Sequence, residues 1–189
     1  MARETSVMSP SEHDQPHSSR ENLFTAEDVR RILLERGWFS GEPSPEQLAF
    51  CERAAALLGP HAAGEGGLRE LLGLVFHYDA EEILKGVEAH TILARYNARE
   101  VVRQLALFLL DPVPFHSERF KEMVNVFKER FDLRGRDLFH PLRLVLAGRS
   151  GEGELDRVIL LVDEAAALDF AVPVKTTRAR ALEFCSVLD

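Results

Sequence analysis

Signals for helix starts and stops recur along this sequence, and they constrain its fold more than any other feature. Thr25 and Ser44 each precede a segment of helical apolar periodicity, as N-cap residues do. Pro45 and Gln47 complete the second start signal, and Gly37 is placed to stop the first helix. No segment alternates apolar and polar residues in the strand pattern. The sequence therefore predicts an all-α fold of about seven to nine helices.

The same signals continue to the end of the chain. A longer helix or helix pair is predicted to run from Asp79 to the Asp111-Pro112 stop, because proline disfavours helical geometry in the residue before it. Three residues are predicted to begin later helices, and Gly148 is predicted to end one of these helices. These residues are Ser117, Pro141 and either Thr176 or Thr177. Within the second helix the spacing predicts one buried face, which consists of Leu48, Cys51, Ala55 and Leu58.

Length and composition bound the domain organisation. The chain has 189 residues, 46% of them hydrophobic, which suffices for one domain or two small packed units. The polar residues 1–22 are predicted to form a disordered tail. Residues 23–114 and 115–189 are predicted to form two helical subdomains. No apolar run approaches the roughly 20 residues of a membrane span, and no secretory signal is present, so a soluble cytoplasmic protein is expected.

Charge is unevenly distributed along the chain. The formal net charge is −8, yet residues 115–149 hold 8 Lys/Arg against 5 Asp/Glu. A generic nucleic-acid binder is expected to be basic overall, because phosphate neutralisation supplies most non-specific affinity. This composition excludes that class. A site-specific RNA binder with a local basic face stays open, as does a solvated face that happens to be rich in arginine.

Motifs for catalysis and for metal binding are lacking. The segment 64–67 (GEGG) has neither the preceding strand nor the following lysine of a phosphate loop. The cluster HYDAEE (77–82) could bind a cation, but it is better explained as a helix end followed by a capped helix start. His13 and His17 do not suffice as a metal site, and Cys51 and Cys185 are predicted to be buried thiols without a disulfide. No catalytic residue, metal or cofactor is predicted.

The segment 131–155 concentrates arginine and glycine around one apolar stretch. Apolar anchors there would hold a turn and a short helix, from which Arg143 and Arg149 are predicted to project. Glycines at 151 and 153 would let a ligand approach the backbone closely. Such a surface suits a single-stranded RNA loop, whose unstacked bases can lie on an arginine plane. The alternative is a structural helix hairpin whose arginines pair with nearby carboxylates at 132, 137 or 154.

The stretch LRGRDLFHPLRLVLAGRSGEGEL resembles the C-terminal anticodon-binding region of bacterial glutamyl-tRNA synthetases. Matching positions run over about 35 residues of the chain. They comprise Gly135, Arg136, Leu138, Phe139, Pro141, Leu142, Arg143, Leu146, Gly148, Leu155 and the helix RVILLVDE. The resemblance implies an all-helical cage of two packed subdomains. The family's T-G is Ala147-Gly148 here, and its loop proline is replaced by Gly153.

Carried over residue by residue, the resemblance implies that RNA contacts involve Arg143 and the loop residues Glu152, Gly153 and Leu155. Arg136 matches a basic position of the same motif, and Arg149 is added because of its charge. The family's catalytic signatures are missing from this sequence, so the chain is not expected to activate glutamate by itself.

Two functions are therefore weighed. The first is a freestanding domain that binds tRNA, with tRNA-Glu as a candidate, and that acts in or beside aminoacylation with a separate catalytic subunit. The second is a helical protein-interaction module that has kept the scaffold and lost RNA binding; its candidate partner helix lies within residues 92–110. Neither DNA nor a membrane is an expected partner.

Overall fold

In a computed structural model, described here for residues 21–188, the chain folds into ten α-helices and one short 3-10 turn, with no strand in that range. The predictions for residues 1–20, including those for His13 and His17, concern a segment outside the described residues. The helices are α1 (Ala26–Glu35), α2 (Pro45–Leu58), α3 (Gly64–Phe76), α4 (Ala80–Lys85), α5 (Val87–Leu93), α6 (Ala98–Phe108), α7 (Ser117–Phe131), α8 (Arg136–Ala147), α9 (Gly153–Ala166) and α10 (Thr177–Leu188). The predicted all-α class is confirmed.

Most of the predicted helix boundaries hold because side chains satisfy the exposed backbone donors at helix starts. Thr25 and Ser44 each form a reciprocal capping box, with Asp28 and Gln47 respectively. Asp79 accepts from the backbone N–H of Glu82 at 3.0 Å and starts α4.

The end signals and the last start signal hold as well. Gly37 adopts a left-handed φ of 69° directly after α1, and Gly148 closes α8 with φ 86°. At α10, Thr176 is the cap, since its Oγ1 accepts from the N–H of Ala179 at 3.1 Å.

Four details differ from the sequence-based expectation. The segment 79–110 forms three helices rather than one or two, because Gly86 and the left-handed Asn97 interrupt it. The cap of α7 is His116, one residue before the predicted Ser117. Leu48 is 41% exposed, since the buried face of α2 is centred on Phe50 and Ala54 and Leu48 lies at its edge.

The fourth difference concerns Pro141. Proline was predicted to open the helix, but α8 begins five residues earlier, at Arg136. Gly135 starts the first turn, because its carbonyl accepts from the N–H groups of Leu138 and Phe139 at 3.2 and 3.0 Å. Pro141 then lies inside the helix and removes a single backbone donor.

One continuous apolar core joins helices from both predicted subdomains. Helices α2 and α3 pack on α9, α6 packs on α8 and α10, and α8 also packs on α9 and α10. The division at residue 114 stays a prediction. At one end of this core five aromatic side chains pack together: Trp38, Phe39, Phe50, Phe76 and Phe170.

A fully buried arginine ties three helices together. Arg180, from α10, is 0% exposed. Its guanidinium donates to the carbonyls of Leu74 (2.9 Å) and Val75 (2.5 Å) near the end of α3, and of Leu146 (2.8 Å) near the end of α8. Burial lowers the pKa of Arg180 to about 10, so the side chain stays charged at neutral pH. The charge is stabilised by carbonyl dipoles at two helix C-termini.

Candidate functional site

The Arg/Gly segment folds so that a loop turns back along α8. Arg136, His140 and Arg143 are spaced i, i+4 and i+7, which places them on one side of the helix. After Gly148 the chain reverses, and residues 149–152 run beside this side towards the start of α8. The structure therefore brings Arg136, Arg143 and Glu152 together.

Arg143 holds the loop from within. Its side chain is buried, 7% of the residue being exposed, which corrects the prediction that Arg143 projects from the surface. Both oxygens of Asp156 accept from its guanidinium, at 2.8 and 2.9 Å, and the carbonyl of Gly151 accepts at 2.6 Å. The guanidinium also lies 4.9 Å from the Phe139 ring centre. A bidentate pair of this kind fixes geometry, so Arg143 positions the loop relative to α8.

Exposed charges flank this buried pair. Arg136 and Glu152 lie 3.7 Å apart, with side chains 76% and 72% exposed. At such exposure their ion pair contributes little energy, and both groups are free to exchange it for a ligand. Gly153, the first residue of α9, has open space where a side chain would stand.

Two more contacts anchor the loop to the rest of the molecule. Arg149 forms an ion pair with Glu70 of α3, and the Ser150 hydroxyl donates to Glu88 of α5. Gly151 is needed for internal packing, because a Cβ there would lie 2.7 Å from the Leu155 side chain. Leu155 itself is fully buried, so its contribution is to the core beneath the loop.

His140 lies among three arginines on the same side of α8. Arg95, which follows α5, donates to His140 Nδ1 at 3.2 Å and approaches Asp137 to 3.8 Å. Burial, followed by the charges of Arg95, Arg143 and Arg136, lowers the pKa of His140 below its ordinary value of 6.5. The imidazole is therefore neutral at pH 7, which suits an acceptor at Nδ1.

An exposed aromatic residue lies next to this cluster. Tyr96 is 81% exposed in the turn between α5 and α6 and directly follows Arg95. Sequence reasoning missed Arg95, Tyr96 and His140. A helix predicted to begin at Arg136 would have placed His140 on the same side as Arg136 and Arg143, and would so have identified it. Nothing in the sequence distinguishes Tyr96 from an aromatic residue of the core.

The basic surplus of residues 115–149 is smaller at the surface than in the sequence. Arg119 and Arg143 are both buried. Arg119 donates to the carbonyls of Phe108 and Asp111 at 3.3 and 3.1 Å, where it closes the end of α6. Two of the eight cations in this segment therefore stabilise the interior.

Other chemistry is limited in the described part of the chain. Residues 21–188 hold no cluster of three or more potential metal ligands. His77 to Glu82 form a helix end and a capped start, as predicted. Cys51 is buried as predicted, whereas Cys185 is only half-buried, and its thiol donates to the Val102 carbonyl at 3.8 Å. None of the described helices has the length and apolar character that crossing a bilayer requires.

Comparison with known proteins identifies the class to which this arrangement is related. The chain is 30% identical over 150 residues to the glutamate–tRNA ligase of Desulforudis audaxviator, and the aligned region covers 75% of this chain and 28% of that protein. It is 25% identical over 146 residues to the glutamate–tRNA ligase of Exiguobacterium sibiricum, and this alignment covers 77% of this chain and 29% of that protein. No protein-family model and no solved structure matches it.

The resemblance to glutamate–tRNA ligases that was read from the motif is thus confirmed. It extends well beyond the motif, over about three quarters of the chain. The chain spans less than a third of the length of these curated relatives.

Proposed function

We propose that this protein is a tRNA-binding domain related to glutamate–tRNA ligase, acting in the cytoplasm in or beside tRNA aminoacylation without catalysing it alone. The observation that carries the proposal is the similarity to two glutamate–tRNA ligases over three quarters of the chain. By analogy with those relatives, tRNA-Glu is the first candidate ligand and a separate catalytic subunit a candidate partner.

The RNA face in this proposal consists of Arg136, Glu152 and Gly153, extended by Arg95 and Tyr96. These residues are exposed or half-exposed, and the charges of Arg95, Arg136 and Glu152 are close enough to His140 to affect its pKa. Unpaired bases can stack on the Tyr96 ring, a contact worth about 1–3 kcal/mol per base. Arg136 can release Glu152 and donate to a base edge or a phosphate.

The remaining motif residues support this face from below. Arg143 fixes the loop through Gly151 and Asp156, and Leu155 anchors the loop to the core. Arg149 holds the loop on α3 and can exchange Glu70 for a phosphate, because its side chain is 32% exposed. In this arrangement Arg143 is a positioning residue.

The proposal is tested by a fluorescence-anisotropy titration of the purified full chain with unfractionated tRNA at two salt concentrations. Duplex DNA of similar length is the control ligand. We expect tRNA binding that weakens with salt and no comparable binding to DNA. Competition with individual tRNAs then identifies the preferred species.

A matched pair of variants locates the site. Tyr96→Ala removes an exposed stacking ring and is expected to weaken tRNA binding about tenfold. Val126→Ala truncates an exposed apolar side chain on α7, 43% exposed, and should leave binding unchanged. Equal affinity of wild type and Tyr96→Ala would remove Tyr96 from the proposed face, and an absence of tRNA binding at low salt would refute the function.

A groove elsewhere on the molecule favours the second candidate function, a protein-interaction module. It encloses about 870 Å³ between α2, the segment 109–117, α9 and the start of α10. Its apolar lining includes Leu57, Leu109, Val113, Phe115 and Leu160. The apolar stripe of α6 belongs to the core, while Leu107 and Leu110 near its end are exposed. Failure to bind tRNA at low salt would favour this candidate.

A further inference from the structure

A second concave site lies at the aromatic end of the core, outside the face described above. It encloses about 420 Å³ between the end of α1, the end of α3 and the segment before α10. The lining that matters for binding is Arg36, Trp38, His77, Tyr78 and Lys175. A volume of this size is in the range of small-molecule sites in proteins.

The wall of the pocket is aromatic and rigid. Trp38 stacks on Phe76 with ring centres 4.4 Å apart and planes inclined by 12°. Phe76 and Tyr78 are buried, whereas Trp38 is half-buried and lines the pocket. Because Phe76 is held by Phe50 and Phe170, the indole rests on an ordered support. A flat ring can therefore pack against Trp38 at little entropic cost.

Two cations converge on the same cavity. The Arg36 guanidinium lies 5.8 Å from the Trp38 ring centre and has no carboxylate partner among residues 21–188. Lys175 Nζ donates to the carbonyl of Tyr78 at 2.9 Å and pairs with Glu183 at 2.6 Å. Arg36 is thus available to an incoming anion, and Lys175 adds positive charge at a fixed position.

Two carboxylates that contact lining residues limit how much negative charge the site can accept. Glu82 approaches His77 at 3.4 Å, and Glu183 holds Lys175. A ligand with several phosphates would be repelled by these groups. Arg36 offsets one negative charge, which is the whole charge of a phosphodiester and more than half of that of a terminal phosphate at pH 7.

We propose that this pocket binds a nucleotide with one phosphate, its base against Trp38 and its phosphate at Arg36. The ligand is either a free nucleoside monophosphate or one unpaired nucleotide of an RNA chain. The proposal does not depend on tRNA binding by the α8 face.

The test uses Trp38, the single tryptophan of the chain, as the reporter. Intrinsic fluorescence of the full chain is titrated separately with the four nucleoside 5′-monophosphates, the corresponding nucleosides, inorganic phosphate and a short single-stranded RNA. Free tryptophan amide corrects for absorption by the ligand. We expect saturable quenching by a monophosphate or by the RNA, weaker quenching by nucleosides and none by phosphate.

Arg36→Gln is compared with Arg130→Gln. Arg130 offers a matched control, since its guanidinium also lies 5.8 Å from a neighbouring aromatic ring, that of Phe131, but outside the pocket. Arg36→Gln is expected to weaken binding about tenfold, and Arg130→Gln to leave it unchanged.

The two ligand sources are distinguished by which titration saturates. Quenching by monophosphates assigns the pocket to a free nucleotide, and quenching by RNA alone assigns it to a nucleotide in a chain. No saturable change with any of these ligands, or equal affinity of Arg36→Gln and wild type, would overturn the proposal.

Discussion

Arg180 shows how much one side chain contributes to this fold. Replacing it with methionine leaves the buried carbonyls of Leu74, Val75 and Leu146 without their charged donor. Each unsatisfied buried acceptor costs about 1–3 kcal/mol, so Arg180→Met is expected to lower the free energy of unfolding by at least about 3 kcal/mol. Urea denaturation measures this. Arg178→Met, an exposed position on the same helix, should change stability little, and similar losses in both variants would contradict the assignment.

His140 offers a residue-scale test by titration. The pKa of His140 in the folded protein is lower than in the unfolded chain, so the unfolded chain binds this proton more readily. The contribution of neutral His140 to stability is therefore present above pH 6.5 and is lost as pH falls below that value. Arg95→Met removes both a nearby positive charge and the donor to Nδ1, and each change should raise the pKa of His140. NMR of the imidazole ring protons measures the pKa of His140 in both proteins. Arg30→Met, on α1, should leave the titration unchanged.

Single residues were the least predictable part of the site. The motif located Arg143 correctly on the helix, but not its orientation. Its burial depends on Asp156 and Gly151, which approach only after the chain has turned at Gly148. Such a contact depends on tertiary packing and cannot be read from local spacing.

At the scale of helices, two glycines should respond oppositely to alanine. Gly148 has φ 86°, and a Cβ there would lie 3.3 Å from Ile83, so Gly148→Ala is expected to destabilise by about 1–2 kcal/mol. Gly73 lies inside α3 with open space at its Cβ, so Gly73→Ala is expected to stabilise by about 0.5–1 kcal/mol. Thermal unfolding of both variants gives the comparison. The same sign in both would contradict this account.

The contact between α1 and α3 should depend on pH. Glu65 bonds to Arg31 and Arg69, at 3.0 and 2.6 Å, and these partners lower its pKa from 4.5 to about 2. A lowered carboxyl pKa stabilises the fold above pH 4.5, and this stabilisation is lost as pH falls towards 2. The urea midpoint of Glu65→Gln should therefore fall below wild type at pH 7 and converge with it near pH 2.

Salt concentration provides the control for the comparison of Glu65→Gln with wild type. Because the groups are exposed, high salt should reduce the difference at pH 7. A difference that is independent of both pH and salt would show that Glu65 stabilises the fold through packing alone.

Helices themselves were largely predictable, for local reasons. Caps at Thr25, Ser44 and Asp79 act within three residues, so sequence contains the whole interaction. Pro141 misled because its usual place is the first helical turn, while here Gly135 starts the helix.

For the whole molecule, the exposed surface predicts how the proposed binding of tRNA depends on salt. Three cations, Arg95 and Arg136 on the proposed face and Arg149 beside it, can each neutralise a phosphate. Counterion release then gives a slope of about −2 for the logarithm of affinity against the logarithm of salt concentration. Binding isotherms over a salt series measure it. A slope steeper than about −5 would require a larger basic surface than this face provides.

The position of Arg180 in α10 also bears on synthesis. Helices α3 and α8 leave the ribosome before α10, yet their terminal carbonyls obtain their charged donor only from α10. The carboxylate of Asp163 in α9 likewise accepts hydrogen bonds from the backbone N–H and the hydroxyl of Thr177, at the start of α10. The nascent chain can therefore form its helices as they emerge but completes its core only after α10 has been translated.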